Sequence, residues 1–572
     1  MAEPAMSRVP DYGRITAIAL AVLLLARLAA ILASGVDLYA DEAQYWRWST
    51  DPAWGYYSKP PLIAWVIGLA TALAGHGEWA IRLPAPILHT LAASALYLLG
   101  RDMDGARTGM FAALGYALMP GVIVSSAVIS TDGVLLPFWC LALWLFWRMR
   151  QGQAGWAGAL GFGLCLGAGF LAKYAMIYFA IGLAITAVID APTRRALFSA
   201  RGAVAILLAA ALFGPHMAWN AANDFKTVGH TVDNARLGGE LFNPGNLGKF
   251  LIDQMGVFGP IGFLVLLFGL VPMLRARSGE GLRRNLWLLA FILPVILIIA
   301  FQSVLSRAHA NWAATAYPAA SVLVAIWLVH ARRRPGLWWA IAGLTALAIQ
   351  FIPDIAFLFK QVLALGIAGA ILLVGLGFRY RPAGLLWTAI GVHATLALLL
   401  AALVASPPGV TTALGLDNGF KRVRGWEQTA ASVRAMAQEI DASAILVDER
   451  ELWHGLDYYM RGERPAPLIA WRRKAGIHSF SERRELTDGI DENVLVASYR
   501  PNHRARMRGD FEAFDYLGEA EIPLGLRANG CPITRRLVFY RASGHAPKTR
   551  DRDWEERYEG QVERPARECP DS

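Results

Sequence analysis

The sequence predicts a polytopic all-α membrane protein that ends in a soluble α/β domain. The chain has 572 residues, of which 55% are hydrophobic and 17% charged, and its mean hydropathy is +0.38. Soluble globular proteins are about 25% charged, so this composition indicates an integral membrane protein. The apolar character extends from Ile15 to about Ser406 and is followed by a charged segment of ordinary domain size. We therefore predict a membrane domain, 1–406, and a soluble domain, 407–572.

Apolar stretches of about 20 residues, the length of a membrane-spanning helix, predict about 13 transmembrane helices in the first domain. They lie near 15–34, 83–100, 108–127, 134–149, 156–175, 176–190, 202–219, 250–274, 286–304, 312–330, 337–353, 361–378 and 384–405. No signal-cleavage pattern follows the first of them, so we expect that helix to be retained. Pro61–Ala74 is too short to span, because at ~1.5 Å per residue it covers about 21 Å of a roughly 30 Å core.

Arginine clusters predict the orientation. If Pro61–Ala74 does not cross the bilayer, the clusters between spans all lie on one side, which the positive-inside rule assigns to the cytoplasm. The N-terminus is then cytoplasmic, whereas the loop 35–82 and the domain 407–572 are periplasmic. Pro61–Ala74 becomes a juxtamembrane or re-entrant helix on the outer face. The clusters also account for much of the net charge of +10, so we expect no nucleic-acid partner.

The loop 35–82 carries the adjacent acids Asp41 and Glu42, followed by six aromatic residues between Tyr45 and Tyr57. A carboxylate in such a loop can act as a general base on an acceptor hydroxyl. The alternative is a helix cap or a solvated charge. The aromatic residues are typical of an interfacial belt and would also suit a sugar platform.

A third acid and several isolated cations lie at the predicted outer boundary. Asp132, in the turn Ser130–Asp132, is either a cap of the following helix or a second active-site acid. Lys59, Arg82 and Lys173 are interpreted either as side chains that reach the lipid headgroups or as ligands of a phosphate. The later outer loops add His230, Arg236, Arg307 and His309 as candidate substrate-binding residues, with Asn311 beside them.

The remaining motifs restrict the class of protein. No metalloprotease, phosphate-loop or serine-hydrolase pattern is present. A carboxylate pair is able to hold a divalent cation, but no ligand set in the sequence requires one. Cys140 and Cys165 lie in apolar segments, whereas Cys531 and Cys569 are able to pair if the last domain is extracytoplasmic.

Short alternating patterns give the α/β prediction for the last domain. Helices are expected at 426–440 and 451–460, and strands at 444–447, 494–498 and 536–542. The last twenty or so residues are charged and are predicted to be disordered.

The order of these motifs resembles that of the membrane glycosyltransferases of the GT-C fold, in particular the aminoarabinose (lipid A) transferases and the protein O-mannosyltransferase-like families. The resemblance covers roughly residues 10 to 320. It rests on Asp41-Glu42, on Lys59-Pro60-Pro61-Leu62, and on three further motifs: Glu78 to Pro84, Ser130-Thr131-Asp132, and Gly169 to Tyr174.

The resemblance implies a polyprenyl-phosphate-linked sugar donor and catalysis on the periplasmic face of the bacterial inner membrane. It implies a first-loop carboxylate near the acceptor, here Asp41, and phosphate ligands at Lys59, Arg82 and Lys173, with Asp132 as the second loop acid. Tyr57, Glu78 and Tyr174 are added as substrate-binding candidates. Aminoarabinose transferases usually carry a glutamate where this chain has Ser58, which leaves the sugar open, and a uronic acid or a hexose fits equally well.

We therefore predict an inverting, monomeric glycosyltransferase that modifies lipid A, core or another envelope acceptor. A flippase or transporter of lipid-linked sugars is the alternative. It would place charged residues near the middle of the bilayer, whereas the notable charges here lie at one boundary. A receptor with a periplasmic domain is a third hypothesis, but it does not explain the many acids and bases of the outer loops.

Overall fold

The computed structural model describes residues 10–233, 242–274, 279–306, 308–350, 357–486, 492–527 and 529–557. The chain forms two compact units, each built from three separate segments. The first comprises Met1–Leu32, Lys59–Ile63 and Arg82–Ala402. The second comprises Ala33–Ser58, Ala64–Ile81 and Leu403–Ser572.

Helices make up nearly all of the described chain before the last domain. In chain order they are α1 (Tyr12–Leu32), α2 (Ala40–Ser49), α3 (Leu62–Ala74), α4 (Glu78–Arg82), α5 (Pro84–Asp104), α6 (Ala106–Ala117), α7 (Pro120–Ser125), α8 (Thr131–Arg150), α9 (Trp156–Ala172), α10 (Ile177–Ile189), α11 (Ala191–Leu197), α12 (Ala200–Ala222), α13 (Lys226–Asp233), α14 (Pro244–Phe258), α15 (Pro260–Leu274), α16 (Glu280–Leu289), α17 (Leu293–Leu305), α18 (Tyr317–His330), α19 (Pro335–Ile349), α20 (Phe357–Gly377) and α21 (Ala383–Ala405). Short 3-10 helices precede α10, at Tyr174–Met176, and α18, at Ala310–Ala316.

Eight helices of the described residues are long and apolar enough to cross a membrane, or nine if the bent pair of α14 and α15 is one span. The chain is therefore a multi-pass membrane protein, as predicted. Other predicted spans coincide with shorter apolar helices such as α9 and α19. The stretch 108–127 is divided, because α6 ends at Ala117 and Pro120 begins α7. The last residues of the predicted span 337–353 lie outside the described residues.

The predicted span 250–274 contains a sharp bend. The axes of α14 and α15 differ by 115° across Gly259, whose φ is +88°. Only glycine adopts this backbone conformation readily. A Cβ atom at this position would also lie 2.4 Å from Cε1 of His393, so both the backbone and the packing require glycine. The bend brings α14 and α7 into contact, where they line the cavity described below.

The second unit contains helices α22 (Pro408–Ala413), α23 (Asp417–Phe420), α24 (Trp426–Glu439), α25 (Arg450–Tyr459), α26 (Pro501–Arg508) and α27 (Arg552–Arg557), with 3-10 helices at Lys421–Val423 and Phe480–Arg483. Its strands are β1 (Ala444–Val447), β2 (Leu468–Ala470), β3 (Val494–Ser498), β4 (Phe511–Leu526) and β5 (Pro532–His545). They form one sheet in the order β2-β1-β3-β5-β4.

The sheet confirms the α/β prediction. Strand β1 is parallel to β2 and β3, and β5 is antiparallel to β3 and β4. Strands β1 and β3 are fully buried and, apart from Ser498, apolar, which is typical of parallel strands that are covered on both faces. The sequence patterns did not indicate β2 or β4, because β2 has only three residues and β4 alternates irregularly around two register shifts.

The end of the described chain packs into this sheet. Trp554 of α27 is fully buried and belongs to the apolar core with Trp471 and Met507. The predicted disordered segment therefore includes at least one core residue. Residues 558–572, with Cys569, lie outside the described residues. Cys531 is disulfide-bonded, and its pairing with Cys569 stays a prediction.

Most of the loop 35–82 is part of the second unit. Helix α2 packs on α25, where the rings of Trp46 and Tyr458 meet edge to face at 5.0 Å. The Tyr458 hydroxyl donates a hydrogen bond to the carbonyl oxygen of His76, at 2.9 Å. The division of the chain between Ser406 and Pro407 stays a prediction. In the structure, the last segment of the unit around the sheet begins at Leu403.

Candidate active site

Two predicted site residues of the first unit form an ion pair. The Lys173 ammonium lies 2.7 Å from Oδ1 of Asp132, and the side-chain amide of Asn311 donates to Oδ2 at 2.8 Å. Asp132 is in the first turn of α8, Lys173 directly follows α9, and Asn311 is in the 3-10 helix before α18. Because both charged side chains are largely withdrawn from solvent, their interaction is screened less than that of a surface pair.

Asp132 is not the cap of its own helix. The hydroxyl of Ser130 accepts the hydrogen bond from the Gly133 backbone N–H at 3.2 Å, which is the usual role of an N-cap side chain. The Asp132 carboxylate is thus used for Lys173 and Asn311. The capping role that the sequence allowed for Asp132 is therefore taken by Ser130.

A cavity of about 1020 Å³ opens beside this group. Its polar lining is provided by Asp132, Asp253, Asn311, His309, Ser130, Ser125, Thr345 and His89. The remaining lining is mainly aliphatic and comes from α7, α8, α14, α19 and α21, with residues such as Val122, Leu136 and Leu396. A cavity with a few polar groups and a long apolar wall suits an amphiphilic ligand.

His89 is a cavity residue that the sequence patterns did not reveal. Its Nδ1 lies 2.9 Å from the Tyr116 hydroxyl and its Nε2 lies 2.9 Å from the Ser125 hydroxyl. The side chain is fully buried within α5, an apolar helix. An ionisable residue inside an apolar span is a signal of function, and this signal was available in the sequence.

Tyr174 forms a second polar group within the first unit. Its hydroxyl lies 2.7 Å from Nε2 of His216, and the Asn220 amide donates to the hydroxyl at 3.3 Å. His216 and Asn220 are one turn apart on α12 and both are fully buried. The sequence predicted Tyr174 but not these two partners, although their spacing of four residues places them on one helix face.

The other predicted residues of the first unit are placed as follows. Arg82, at the end of α4, is 1% exposed, and Lys59 is half-buried. His309 lines the cavity, with its ring 5.2 Å from that of Trp312. His230 is half-buried on α13. Arg236 and Arg307 lie outside the described residues.

Asp41 belongs to the second unit, where it lies in the first turn of α2. The Arg450 guanidinium donates to its Oδ1 at 3.2 Å and also to the side-chain oxygen of Gln44. Burial opposes the charge of Arg450, but the neighbouring Asp41 carboxylate raises the pKa of Arg450. The side chain of Asp41 remains 41% exposed, so a substrate hydroxyl can reach it.

Glu42, beside Asp41, has a different environment. It is 1% exposed, and its carboxylate accepts the backbone N–H of Tyr39 at 3.0 Å at the start of α2. This contact is the helix-capping role that was one of the two interpretations of the acid pair. A catalytic role of Glu42 stays a prediction. Of the two acids, Asp41 is the more exposed.

Two further predicted residues lie in the second unit. Glu78 accepts a hydrogen bond from the Tyr459 hydroxyl, which itself accepts the Leu38 backbone N–H at 2.7 Å. Burial and the nearby acids Asp37 and Glu78 raise the pKa of Tyr459. The Tyr57 hydroxyl lies 3.2 Å from Nδ1 of His478.

Within the described residues, no three His, Cys, Asp or Glu side chains are grouped as metal ligands.

Comparisons with known proteins show which proteins this chain is similar to. Residues 58–219 match the family described as dolichyl-phosphate-mannose-protein mannosyltransferase. The lipid A galacturonosyltransferase RgtD of Rhizobium johnstonii is 38% identical over 303 residues, which are 53% of this chain and 62% of that protein. This chain thus matches less than two thirds of the length of that relative.

A solved structure gives the fold. ArnT from Cupriavidus metallidurans, bound to undecaprenyl phosphate, aligns with a TM-score of 0.61 and 17% identity over 93% of this chain and 98% of that one. The same protein in the apo state aligns with a TM-score of 0.60. The resemblance drawn from the motifs is therefore confirmed, and the chain has the GT-C fold of the membrane glycosyltransferases.

Proposed function

We propose that this protein is an inverting glycosyltransferase that moves a sugar from a polyprenyl-phosphate donor to lipid A or a related envelope acceptor, on the periplasmic face of the bacterial inner membrane. The observation that carries the proposal is the hydrogen-bonded group of Lys173, Asp132 and Asn311 beside a large, mainly apolar cavity. The relative RgtD, a lipid A galacturonosyltransferase, favours galacturonic acid as the sugar.

The cavity suits the donor lipid. Its aliphatic wall is able to pack along part of a polyprenyl chain through van der Waals contacts. The polar lining around Asp132 is the part that would receive the phosphate and the sugar. The ArnT structure, which was solved with undecaprenyl phosphate, supports the same class of ligand.

The leaving phosphate requires positive charge. In the proposed reaction the acceptor oxygen attacks the anomeric carbon, and the bond between that carbon and the phosphate oxygen breaks with its electron pair on the phosphate. Lys173, Arg82 and Lys59 stabilise this charge, which typically contributes several kcal/mol. Asp132 and Asn311 act as positioning residues, because the carboxylate fixes the Lys173 ammonium and the amide fixes the carboxylate.

The acceptor proton requires a base, and we assign this role to Asp41. Its carboxylate is partly exposed and is held by Arg450. The carboxylate can accept the hydroxyl proton as the new glycosidic bond forms.

Substitution of Asp41 tests this assignment. Asp41→Asn keeps the size and a hydrogen-bond acceptor for Arg450, and we expect transfer to fall at least about hundredfold while membrane insertion is unchanged. The assay uses the purified full chain, polyprenyl-phosphate galacturonate and lipid A, with the product identified by mass spectrometry. Asp51→Asn is the matched control, because Asp51 is an exposed acid of the same loop, paired with Arg483 at 3.3 Å. Undiminished transfer by Asp41→Asn would remove Asp41 as the base.

A further inference from the structure

A second cavity of about 590 Å³ lies in the first unit, away from the candidate active site. It is lined by residues of α15, α16 and α18 and by the connection to α19. Helix α18 has the 3-10 helix of Asn311 at its start and His330 at its end. At ~1.5 Å per residue its 14 residues separate these ends by about 21 Å, so the two cavities lie towards opposite ends of one helix.

The polar lining of this cavity consists mainly of basic side chains. Arg284, His330 and Arg334 contribute to it, together with Asn285. Asp104, at the end of α5, holds Arg284 at 2.6 Å and His330 at 2.7 Å. The Asp104 carboxylate is thus shared by Arg284 and His330. Arg334 is a third basic side chain of the cavity. The remaining positive charge favours an anionic ligand.

One donor of this cluster has no partner. Nε of Arg284 is buried, and among the described residues no hydrogen-bond acceptor reaches it. This N–H is enclosed by protein atoms, so a ligand in the cavity would meet the part of the guanidinium that stays accessible, since 20% of the Arg284 side chain is exposed. A phosphate oxygen suits this place, because guanidinium groups bind phosphate with strong charge-assisted hydrogen bonds.

The rest of the lining is apolar and includes Val265, Phe268, Leu282 and Ile326. A soluble anion would make no favourable contact with such an apolar wall, whereas a phospholipid carries acyl chains close to its phosphate. The arginine clusters that predicted the cytoplasmic side include Arg283, Arg284 and Arg332 to Arg334. This end of the helices is therefore the one at which anionic lipids of the inner leaflet are expected.

We propose that this cavity binds the phosphate headgroup of an anionic phospholipid from the leaflet opposite to the candidate active site. The phosphate would contact Arg284 and Arg334, and one acyl chain would lie along Phe268 and Leu282. The bound lipid would link α16 to α18, the helix whose other end follows Asn311. The proposal does not depend on the sugar or the acceptor of the proposed reaction.

Native mass spectrometry of the full-length chain tests this proposal, with the protein released from bilayers that contain phosphatidylglycerol and phosphatidylcholine. We expect the wild type to retain one phosphatidylglycerol in preference to phosphatidylcholine. Arg334→Gln, at an exposed position, should lower this retention about fivefold. Arg195→Gln, at an exposed arginine of another cluster, is the matched control and should retain the lipid as the wild type does.

Asp104→Asn gives a result in the opposite direction. It removes the competing carboxylate from Arg284 and His330, so lipid retention should rise, whereas a loss of structure would lower it. Equal retention of both lipids by the wild type, or equal effects of Arg334→Gln and Arg195→Gln, would overturn the proposal. Displacement of the lipid by millimolar inorganic phosphate would show a site for soluble phosphate instead and would also overturn it.

Discussion

At the scale of single residues, Asp132 is placed to control the charge of the candidate active site. One carboxylate oxygen accepts from the Lys173 ammonium and the other from the Asn311 amide, so each partner is held in one position. A lysine side chain has four rotatable bonds. Without the ion pair it would lose considerable conformational entropy on binding a phosphate. The ion pair thus fixes the ammonium before the donor arrives.

We expect Asp132→Asn to lower transfer about hundredfold, because the Lys173 ammonium loses the partner that positions it. The helix start should survive, since Ser130 provides the cap. The measurement is kcat and KM for the lipid donor in the purified protein, with the thermal midpoint recorded in parallel. Asn311→Ala, which leaves the ion pair intact, should have a smaller effect. A fall in thermal stability with unchanged kcat would contradict the positioning role.

The sequence predicted these residues only in part. Asp132 and Lys173 were both placed at the outer boundary by the pattern of spans, but their contact joins residues 41 positions apart, and that of Asp132 with Asn311 joins residues 179 apart. Such pairs depend on which helices pack together, and a single sequence does not carry this information. His89 and His216 likewise have partners on other elements, at Tyr116, Ser125 and Tyr174, which the sequence does not bring together.

At the scale of elements, short buried connections are the least predictable part of the fold. The segment 417–426, between the last span and the sheet, reads as an ordinary charged loop. Its first residue, Asp417, is fully buried and accepts hydrogen bonds from Thr411, Thr412, Arg424 and the Leu526 backbone. One carboxylate therefore joins α22 and α23 to the end of β4, at a residue 109 positions further along the chain.

Asp417→Asn should destabilise the second unit by about 3 kcal/mol, because it leaves Arg424 without its buried anionic partner. Burial alone would raise the pKa of Asp417, but the hydrogen bonds to its carboxylate lower the pKa to about 2. The stabilisation is therefore present above the usual carboxyl value of 3.8 and is lost as the pH falls through about 2.

Thermal unfolding of the purified chain between pH 5 and pH 2.5 measures this effect. The difference between wild type and Asp417→Asn should be largest at the upper end of the range and should shrink towards the lower end. Asp515→Asn, at an exposed position of β4, is the control and should differ little from the wild type at any of these pH values. A difference that grows on acidification would refute the assignment of the low pKa.

At the scale of the whole molecule, the second unit is interleaved with the first along the chain. The pattern of arginine clusters predicted that the loop 35–82 and the domain 407–572 share one side of the membrane. It did not predict that the loop helices would be core elements of the sheet-containing unit. Trp46 contacts Tyr458 there, and Tyr459 contacts Leu38 and Glu78, in each case across more than 380 positions of the sequence.

This interleaving predicts the effect of removing the last domain. A chain that ends at Ser406 lacks Tyr458, Tyr459 and Arg450, so α2 would expose its aromatic face and Asp41 would lose its cationic partner. We expect such a chain to insert in the membrane, to become sensitive to protease within residues 35–58, and to have no transfer activity. Immunoblotting of cleavage products in membranes and the transfer assay measure both effects.

A chain with a protease site inserted between Ser406 and Pro407, cut only after folding, is the matched control. The contacts that hold α2 against α25 and fix Asp41 are noncovalent, so the two fragments should remain associated and the loop should stay protected. We expect transfer by the cut chain to remain within about twofold of the intact one, because Pro407 is exposed and the cut leaves the contacts of α2 with α25 in place. Full protection of residues 35–58 in the shortened chain would show instead that the loop folds without the sheet.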